Sequence, residues 1–214
     1  MTTPRDLLMV AMDRESGNPA LDREPGRPVQ RGNLSLALAG AELIDLLGAQ
    51  AFSLAGDRIV PGYRPTLDDR LLEEAASALD RQAPFESVDD WLWRRGRGLF
   101  TAYLAALEAE GQVSWERPRG WMPLRGGRLV LADSPDRRRA AYRWTSDEPV
   151  LTALVASVEV LEEPAAEDSP GVADGAVATV LAAVDDAVRS LEFERQRRAI
   201  DEAAFDNVWR GGDG

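Results

Sequence analysis

The sequence lacks both cysteine and histidine, and all 25 of its basic residues are arginine. Without cysteine there is neither a disulfide framework nor thiolate chemistry. Without histidine, Ser-His and Cys-His nucleophiles, imidazole bases and the usual zinc sites are excluded. We therefore predict no metal and no cofactor, and an enzyme is the function class with the least support. Arginine as the only cation is suited to bidentate binding of phosphate.

Long apolar runs are also missing, since none approaches the ~20 residues that a membrane-spanning helix needs. The first residues, MTTPRDLLMVAMDRE, have neither the basic region nor the small-residue cleavage site of a signal peptide. These observations predict a cytoplasmic protein, or a peripheral protein on the cytosolic face of a membrane. The alanine- and arginine-rich composition is typical of a GC-rich bacterial genome.

The charge of the chain is strongly acidic but unevenly distributed. A net charge of −12 argues against general nucleic-acid binding, which requires a positive field, so we expect no nucleic-acid partner. Arginines nevertheless cluster at residues 94–97, 117–128 and 137–139. This clustering predicts a local basic face on an acidic protein.

The most apolar segment, LALAGAELIDL at residues 36–46, is predicted to form a helix. Its leucines share one stripe with Gly40, whereas Glu42 and Asp45 would lie together on the opposite side. Glycine costs about 1 kcal/mol relative to alanine inside a helix, so its presence on the packing face needs a reason. The missing side chain indicates a close crossing with another helix.

Capping signals mark the starts of further helices. Serine or threonine followed three residues later by aspartate occurs at Thr3, Thr66 and Ser87, which is the spacing of a capping box. Glu148 precedes Pro149, so a helix opening there would carry negative charge at the positive end of its dipole.

Two segments are predicted to form β-hairpins, AFSLAGDRIVP after Gly48 and QVSWERPRGWMPLRGGRLVLAD after Gly111. An amphipathic pattern extends from residue 174 to 209 as one helix or a broken pair. Residues 14–33 and 162–175 are predicted to be flexible loops. The predicted fold class is therefore mainly α, a single helical-bundle domain spanning the whole chain with two small β-hairpins.

The segment WLWRRGRGLF at residues 91–100 permits two interpretations. In the first, a helix ends with Trp91 buried and Arg94, Arg95 and Arg97 solvated. In the second, these guanidinium groups and the glycine amides bind an anion, and the indoles lie at a membrane interface. The local sequence does not separate the two interpretations.

A second candidate segment, RPRGWMPLRGGR at residues 117–128, places an apolar tip among arginines. The tip consists of Trp121, Met122 and Leu124, and Arg119 and Arg125 flank it. A short segment with many prolines and glycines has little scope to bury its own apolar side chains. The pattern is typical of a membrane-interface wedge or a partner contact, and the alternative is a hairpin folded back onto the core.

In order and spacing, several segments resemble the Golgi phosphoprotein 3 family, whose members occur in eukaryotes and in actinobacteria. The resemblance covers residues 6 to about 133, with a further match at ALVASVEVL. It rests on the segments DLLMVAMDRESG, LALAGAELIDL, PTLDDRLLEEA, SVDDWLWRRG and LAALEAEGQV.

This resemblance implies a mainly helical, peripheral membrane protein. Eukaryotic members bind phosphatidylinositol 4-phosphate and act as adaptors for glycosyltransferases, and their headgroup site uses one tryptophan and three arginines. In this sequence the tryptophan position falls near Gln30, and the arginine positions fall at Ala39, Arg97 and Phe100. Only Arg97 matches. The family's apolar hairpin, implicated in membrane insertion and self-association, corresponds to residues 117–128.

These observations lead to a first hypothesis, a non-enzymatic module that binds an anionic lipid headgroup. Its candidate headgroup residues are Arg97, with Arg94, Arg95 and Arg31 as a shifted anion site. A second hypothesis is a soluble helical adaptor that has lost lipid binding and contacts a protein partner through the segment around Trp121. A third, a winged-helix DNA binder, has less support because its recognition helix would be apolar or acidic.

Overall fold

The computed structural model of the protein describes residues 2–16, 30–116, 128–159 and 174–210. These residues form eight helices and two antiparallel strand pairs, which confirms the predicted fold class. In chain order the elements are α1 (Thr3–Glu15), α2 (Arg31–Gly48), β1 (Phe52–Ala55), β2 (Arg58–Pro61), α3 (Arg70–Ala78), α4 (Val88–Arg95), α5 (Leu99–Ala109), β3 (Val113–Glu116), β4 (Arg128–Leu131), α6 (Pro135–Thr145), α7 (Pro149–Glu159) and α8 (Gly175–Arg210).

The apolar helix α2 lies at the centre of the fold and contacts α1, α3, α4, α5, α7 and α8. Its leucines Leu38, Leu43 and Leu46 are completely buried. A Cβ atom added at Gly40 would overlap the Val184 side chain of α8. The predicted close helix crossing at Gly40 is therefore confirmed, and the crossing partner is α8.

The carboxylates of α2 correct the expectation of an opposite, polar side. Glu42 is completely buried, and both of its oxygens accept hydrogen bonds from Arg95, each at 2.8 Å. The hydroxyl of Tyr103 donates a third hydrogen bond to Glu42 at 3.0 Å. Asp45 accepts a hydrogen bond from the backbone N–H of Thr3 at 2.8 Å. Burial raises the pKa of Glu42 and of Asp45.

Two of the predicted helix starts are found with the expected local chemistry. At α4, the Ser87 hydroxyl accepts a hydrogen bond from the N–H of Asp90 at 3.0 Å and donates one to its carboxylate at 2.6 Å. At α7, the Glu148 carboxylate accepts a hydrogen bond from the N–H of Leu151 at 2.9 Å. In both cases the capping side chain and the N–H group that it binds are three residues apart in the sequence.

The other two capping predictions are wrong. The side chain that caps α3 is Asp69, which accepts hydrogen bonds from the N–H groups of Leu71 and Leu72, and Thr66 lies outside the helix. Helix α1 has no side-chain cap of its own, because the carboxylate of Asp45 on α2 satisfies the Thr3 N–H instead. A cap supplied by another helix has no local signature in the sequence.

Two helical features differ from the sequence analysis or were missed by it, and a third settles an alternative that it left open. The predicted loop at 14–33 is too long, because residues 14–15 end α1 and residues 31–33 begin α2. Helix α6 was not predicted, although the Ser134 hydroxyl caps it and proline follows in its first turn. The last segment is one continuous helix of 36 residues rather than a broken pair.

Both predicted hairpins are present. In the first, β1 pairs with β2 across Gly56, whose φ of +66° is a left-handed conformation that glycine adopts without strain. In the second, β3 pairs with β4, with Val113 opposite Leu131. Residues 117–127, including the predicted apolar tip, lie outside the described residues.

Candidate anion-binding groove

An open groove of about 330 Å³ lies where the start of α2, the connection between α4 and α5, and α8 meet. Arg31 and Gly32 contribute the α2 wall, and Arg97 and Gly98 contribute the α4–α5 wall. Leu191 of α8 closes the third side. The exposed indole of Trp93 and the ring of Phe100 add aromatic surface.

Two glycines allow the α4–α5 connection to form this wall. At Gly96, a Cβ atom would lie only 2.6 Å from the Leu92 carbonyl oxygen and 3.3 Å from the carbonyl oxygen of Ser35 on α2. Gly98 has a φ of +73°, which turns the chain into the first residue of α5. The Ser35 hydroxyl accepts a hydrogen bond from the Phe100 N–H at 3.2 Å, which ties the start of α5 to α2.

The beginning of α5 adds positive electrostatic potential to the groove. The N-cap residue Gly98 has no side chain to cap this helix, and the first two N–H groups donate within the protein, that of Leu99 to the Gly96 carbonyl oxygen at 3.2 Å and that of Phe100 to the Ser35 hydroxyl. Gly98, Phe100 and Thr101 all line the groove, so the positive end of the α5 dipole lies at its wall. The dipole attracts negative charge, and adjacent guanidinium groups add to that attraction.

Arg97 and Arg31 are the two predicted headgroup residues that line this groove. Arg97 is exposed, and within the described ranges no carboxylate forms an ion pair with it. Arg31 is also exposed, and its guanidinium lies 5.6 Å from the centre of the Phe100 ring. The two cations therefore come from different walls, one from α2 and one from the α4–α5 connection.

Arg94 and Arg95 are directed elsewhere. Arg94 forms two hydrogen bonds to the Glu86 carboxylate at 2.6 and 2.7 Å, and its guanidinium lies 5.0 Å from the centre of the Trp91 ring. Arg95 is held by Glu42, as described above, and also donates a hydrogen bond to the Leu71 carbonyl oxygen at 3.1 Å. The four arginines predicted as one anion site are thus separated into two that line the groove and two that are paired.

The structure also places the positions carried over from the resemblance. Gln30 is exposed immediately before α2, and Phe100 lies inside the groove beneath Arg31. Ala39 is completely buried, and its carbonyl oxygen accepts a hydrogen bond from the Trp91 indole at 3.3 Å. Position 39 therefore supplies no cation here, whereas Arg31 places one over the ring at position 100.

Sequence reasoning missed the contributions of Gly32, Ser35 and Leu191 to the groove. No local motif marks them, because Leu191 reaches the groove only through the packing of α8 across α2. The candidate wedge residues Trp121, Met122, Leu124, Arg119 and Arg125 lie outside the described residues. Trp115 on β3, which leads into that segment, is 50% exposed.

Within the described ranges, no helix combines the length and hydrophobicity that crossing a bilayer requires. The same residues contain no cluster of acidic side chains suited to holding a metal ion. The described residues therefore form a mainly helical fold with an arginine-lined groove at its surface.

The sequence also matches the profile of a known protein family. The sequence profile described as Golgi phosphoprotein 3 (GPP34) matches residues 4–203 of the 214-residue chain. The chain therefore belongs to the Golgi phosphoprotein 3 (GPP34) family. No individual curated protein matches the sequence significantly.

Proposed function

We propose that this protein is a non-enzymatic peripheral membrane module that binds an anionic lipid headgroup of the phosphoinositide class, such as phosphatidylinositol 4-phosphate, on a cytosolic membrane face. One observation carries the proposal. Arg31 and Arg97 are exposed cations on different walls of a groove that also contains the start of α5. Membership of the Golgi phosphoprotein 3 family supports the same function.

The groove has the mixed lining that a phosphorylated headgroup requires. The guanidinium groups match phosphate oxygens, because they donate charge-assisted hydrogen bonds, and the positive end of the α5 dipole attracts the same negative charge. Trp93, Leu36 and Leu191 present apolar surface to the less polar part of the ligand. An indole at the rim is suited to the boundary between water and lipid.

The overall charge of −12 does not prevent such binding. Charges further from the membrane than the Debye length, about 8 Å at physiological ionic strength, are largely screened. The local field at the membrane is then determined by the exposed arginines of the groove. The segment containing Trp121, Met122 and Leu124, flanked by Arg119 and Arg125, is proposed as a second contact with lipid or with a protein client.

Co-sedimentation with vesicles tests the proposal. Vesicles of phosphatidylcholine alone are compared with vesicles that also contain phosphatidylinositol, phosphatidylserine or phosphatidylinositol 4-phosphate. A charge-assisted contact contributes about 1.5–3 kcal/mol, so Arg97→Ala should weaken binding to the phosphoinositide vesicles about tenfold or more. Arg64→Ala is the matched control, because Arg64 is also exposed but lies outside the groove.

Three results would contradict the groove assignment. Equal losses in Arg97→Ala and Arg64→Ala would indicate general attraction to charge rather than a site. Unchanged binding in Arg97→Ala would place the contact elsewhere. Absence of vesicle binding by the wild-type protein would favour the soluble adaptor, and a protein partner would then be sought for the segment around Trp121.

A further inference from the structure

A third arginine lies beside the groove but comes from a part of the chain that no headgroup motif includes. Arg195 is on α8, one turn after the groove residue Leu191. A Cβ atom added at Gly32 would overlap Nη2 of Arg195 and would lie 3.0 Å from the Leu191 side chain. Because Gly32 itself lines the groove, the absence of a side chain there brings the Arg195 guanidinium to the groove's edge.

The Arg195 side chain is held in this position by the first turn of α2. Its Nη1 donates hydrogen bonds to the Asn33 side-chain oxygen at 2.8 Å and to the Glu192 carboxylate at 2.7 Å. The Asn33 amide donates to the same Glu192 oxygen at 2.7 Å. Among the described residues, only Nη1 of this guanidinium has a hydrogen-bond partner, so Nη2 beside Gly32 remains available.

Charge balance indicates what this arrangement can bind. Arg31, Arg97 and Arg195 contribute three positive charges, and Glu192 removes one. The remaining two match a phosphomonoester, which carries close to two negative charges at neutral pH, better than a phosphodiester, which carries one. Guanidinium groups from three separate elements can also surround a phosphate more completely than two can.

We propose that Arg195 of α8 is a third binding residue of the groove, held at its edge by Asn33 and Glu192 for a phosphomonoester. The inference rests on the proposed headgroup function and extends it by one binding residue. The first turn of α2 and the middle of α8 then act together, with Gly32 as the position that lets them meet. The phosphomonoester belongs either to a lipid headgroup or to a free inositol phosphate, and the experiment distinguishes these sources.

Substitutions on α8 provide the first test. Arg195→Gln removes the charge but keeps hydrogen-bonding capacity, and we expect about five- to tenfold weaker binding to vesicles containing phosphatidylinositol 4-phosphate. Arg198→Gln removes the same charge from an exposed position on the same helix and should hardly change binding. Vesicles containing phosphatidylinositol, which lacks the monoester, should show little difference between the two variants.

Two further variants separate ligand binding from a purely structural role. Gly32→Ala displaces the flexible end of Arg195 without changing any charge, so binding should weaken while the melting temperature is kept or rises. Glu192→Gln removes the opposing charge but keeps a side-chain oxygen that can accept the Arg195 hydrogen bond, so phosphoinositide binding should strengthen. If Glu192→Gln instead weakens binding, the cluster acts only to fix α8, and the proposal is overturned.

The remaining outcomes distinguish this proposal from the function on which it rests. If Arg97→Ala loses vesicle binding while Arg195→Gln matches Arg198→Gln, the headgroup function stands and the role of Arg195 is disproved. If calorimetry detects inositol 4-phosphate binding that depends on Arg195 but vesicles do not bind, the phosphomonoester site stands and the membrane function fails. If the wild-type protein binds neither probe, both proposals fail.

Discussion

At the scale of single residues, Glu42 is the most deeply buried charged residue in the described part of the chain. Its carboxylate is completely buried and is satisfied by Arg95 and Tyr103. Arg95 also binds the Leu71 carbonyl oxygen, so one cluster joins α2, α3, α4 and α5. The connection that carries Arg97 follows directly after Arg95, so this cluster fixes one wall of the groove.

The first residue-scale prediction compares two adjacent arginines. Arg95→Ala leaves the Glu42 carboxylate buried without its cation, and such losses cost about 3–5 kcal/mol of unfolding free energy. Arg94→Ala removes a side chain that is 47% exposed, and exposed ion pairs contribute about 0–1 kcal/mol. Urea denaturation of the two variants measures both values. Similar costs for the two substitutions would show that Arg95 is not an internal structural residue.

These two arginines also show what the sequence does not reveal at this scale. The segment WLWRRGRGLF identifies the correct region, because Arg97 and Trp93 do line the groove. Consecutive helical residues point about 100° apart, so adjacent arginines must face different surroundings. Which of them meets a buried carboxylate depends on Glu42, which lies 53 residues away from Arg95 in the chain. No local pattern contains that information.

At the scale of elements, the crossing of α2 and α8 determines both the core and the groove. Gly40 allows the Val184 side chain to lie against the α2 backbone, and Gly32, two turns earlier, allows Arg195 and Leu191 to do the same. Glycine thus occurs at two points where α8 approaches α2 closely. Because these two helices pack together, Leu191 of α8 lines the groove although it is distant in sequence from the residues of the other two walls.

The element-scale prediction concerns Gly40 and Gly48 of α2. Gly40→Ala would overlap Val184, and overpacking a core usually costs about 1–3 kcal/mol. Gly48→Ala is the matched control, because a Cβ atom there meets nothing within 4 Å. Thermal unfolding should therefore show destabilisation for Gly40→Ala only. Equal stability of the two variants would mean that α8 moves away from α2 without cost.

The same element explains which parts of the fold are predictable. The helical period of α2 and the caps at Ser87 and Glu148 are local, and the structure has them as expected. The cap of α1 is not local, because Asp45 lies 42 residues from Thr3. For the same reason, the apolar run at 36–46 predicts a stripe of leucines but does not predict that Glu42 is also buried.

At the scale of the whole molecule, acidic charge is distributed between surface and core. Asp6, Glu42 and Asp45 are largely enclosed, and burial raises the pKa of each carboxyl group. Arg143 faces Asp6 at 2.6 Å and Arg95 faces Glu42, and both arginines oppose this rise. Burial is nevertheless the larger effect for all three groups.

The resulting prediction is a protein that tolerates mild acid. A carboxyl group whose pKa is higher in the folded state binds its proton there first, so stability rises as the pH falls from the folded toward the unfolded pKa. That contribution is fully present below the unfolded value, about 4, and is lost as the pH rises through the folded value. Protonation also reduces the self-repulsion of a net charge of −12. The melting temperature should therefore hold or rise as the pH is lowered from about 7 toward about 5.

Replacing Asp45 by asparagine provides the control for this pH dependence. The asparagine oxygen can still accept the Thr3 N–H hydrogen bond, but it carries no charge and does not titrate. The melting temperature of Asp45→Asn should therefore vary less with pH than that of the wild-type protein, and at pH 7 it should not be lower. A wild-type melting temperature that falls steadily as soon as the solution is acidified from neutrality would show that the paired arginines, rather than burial, control these carboxyl groups. In that case Glu42 and Asp6 would be ordinary ion-paired acids. The protein would then lose stability in mild acid, because protonation of these carboxylates would break their ion pairs with the arginines.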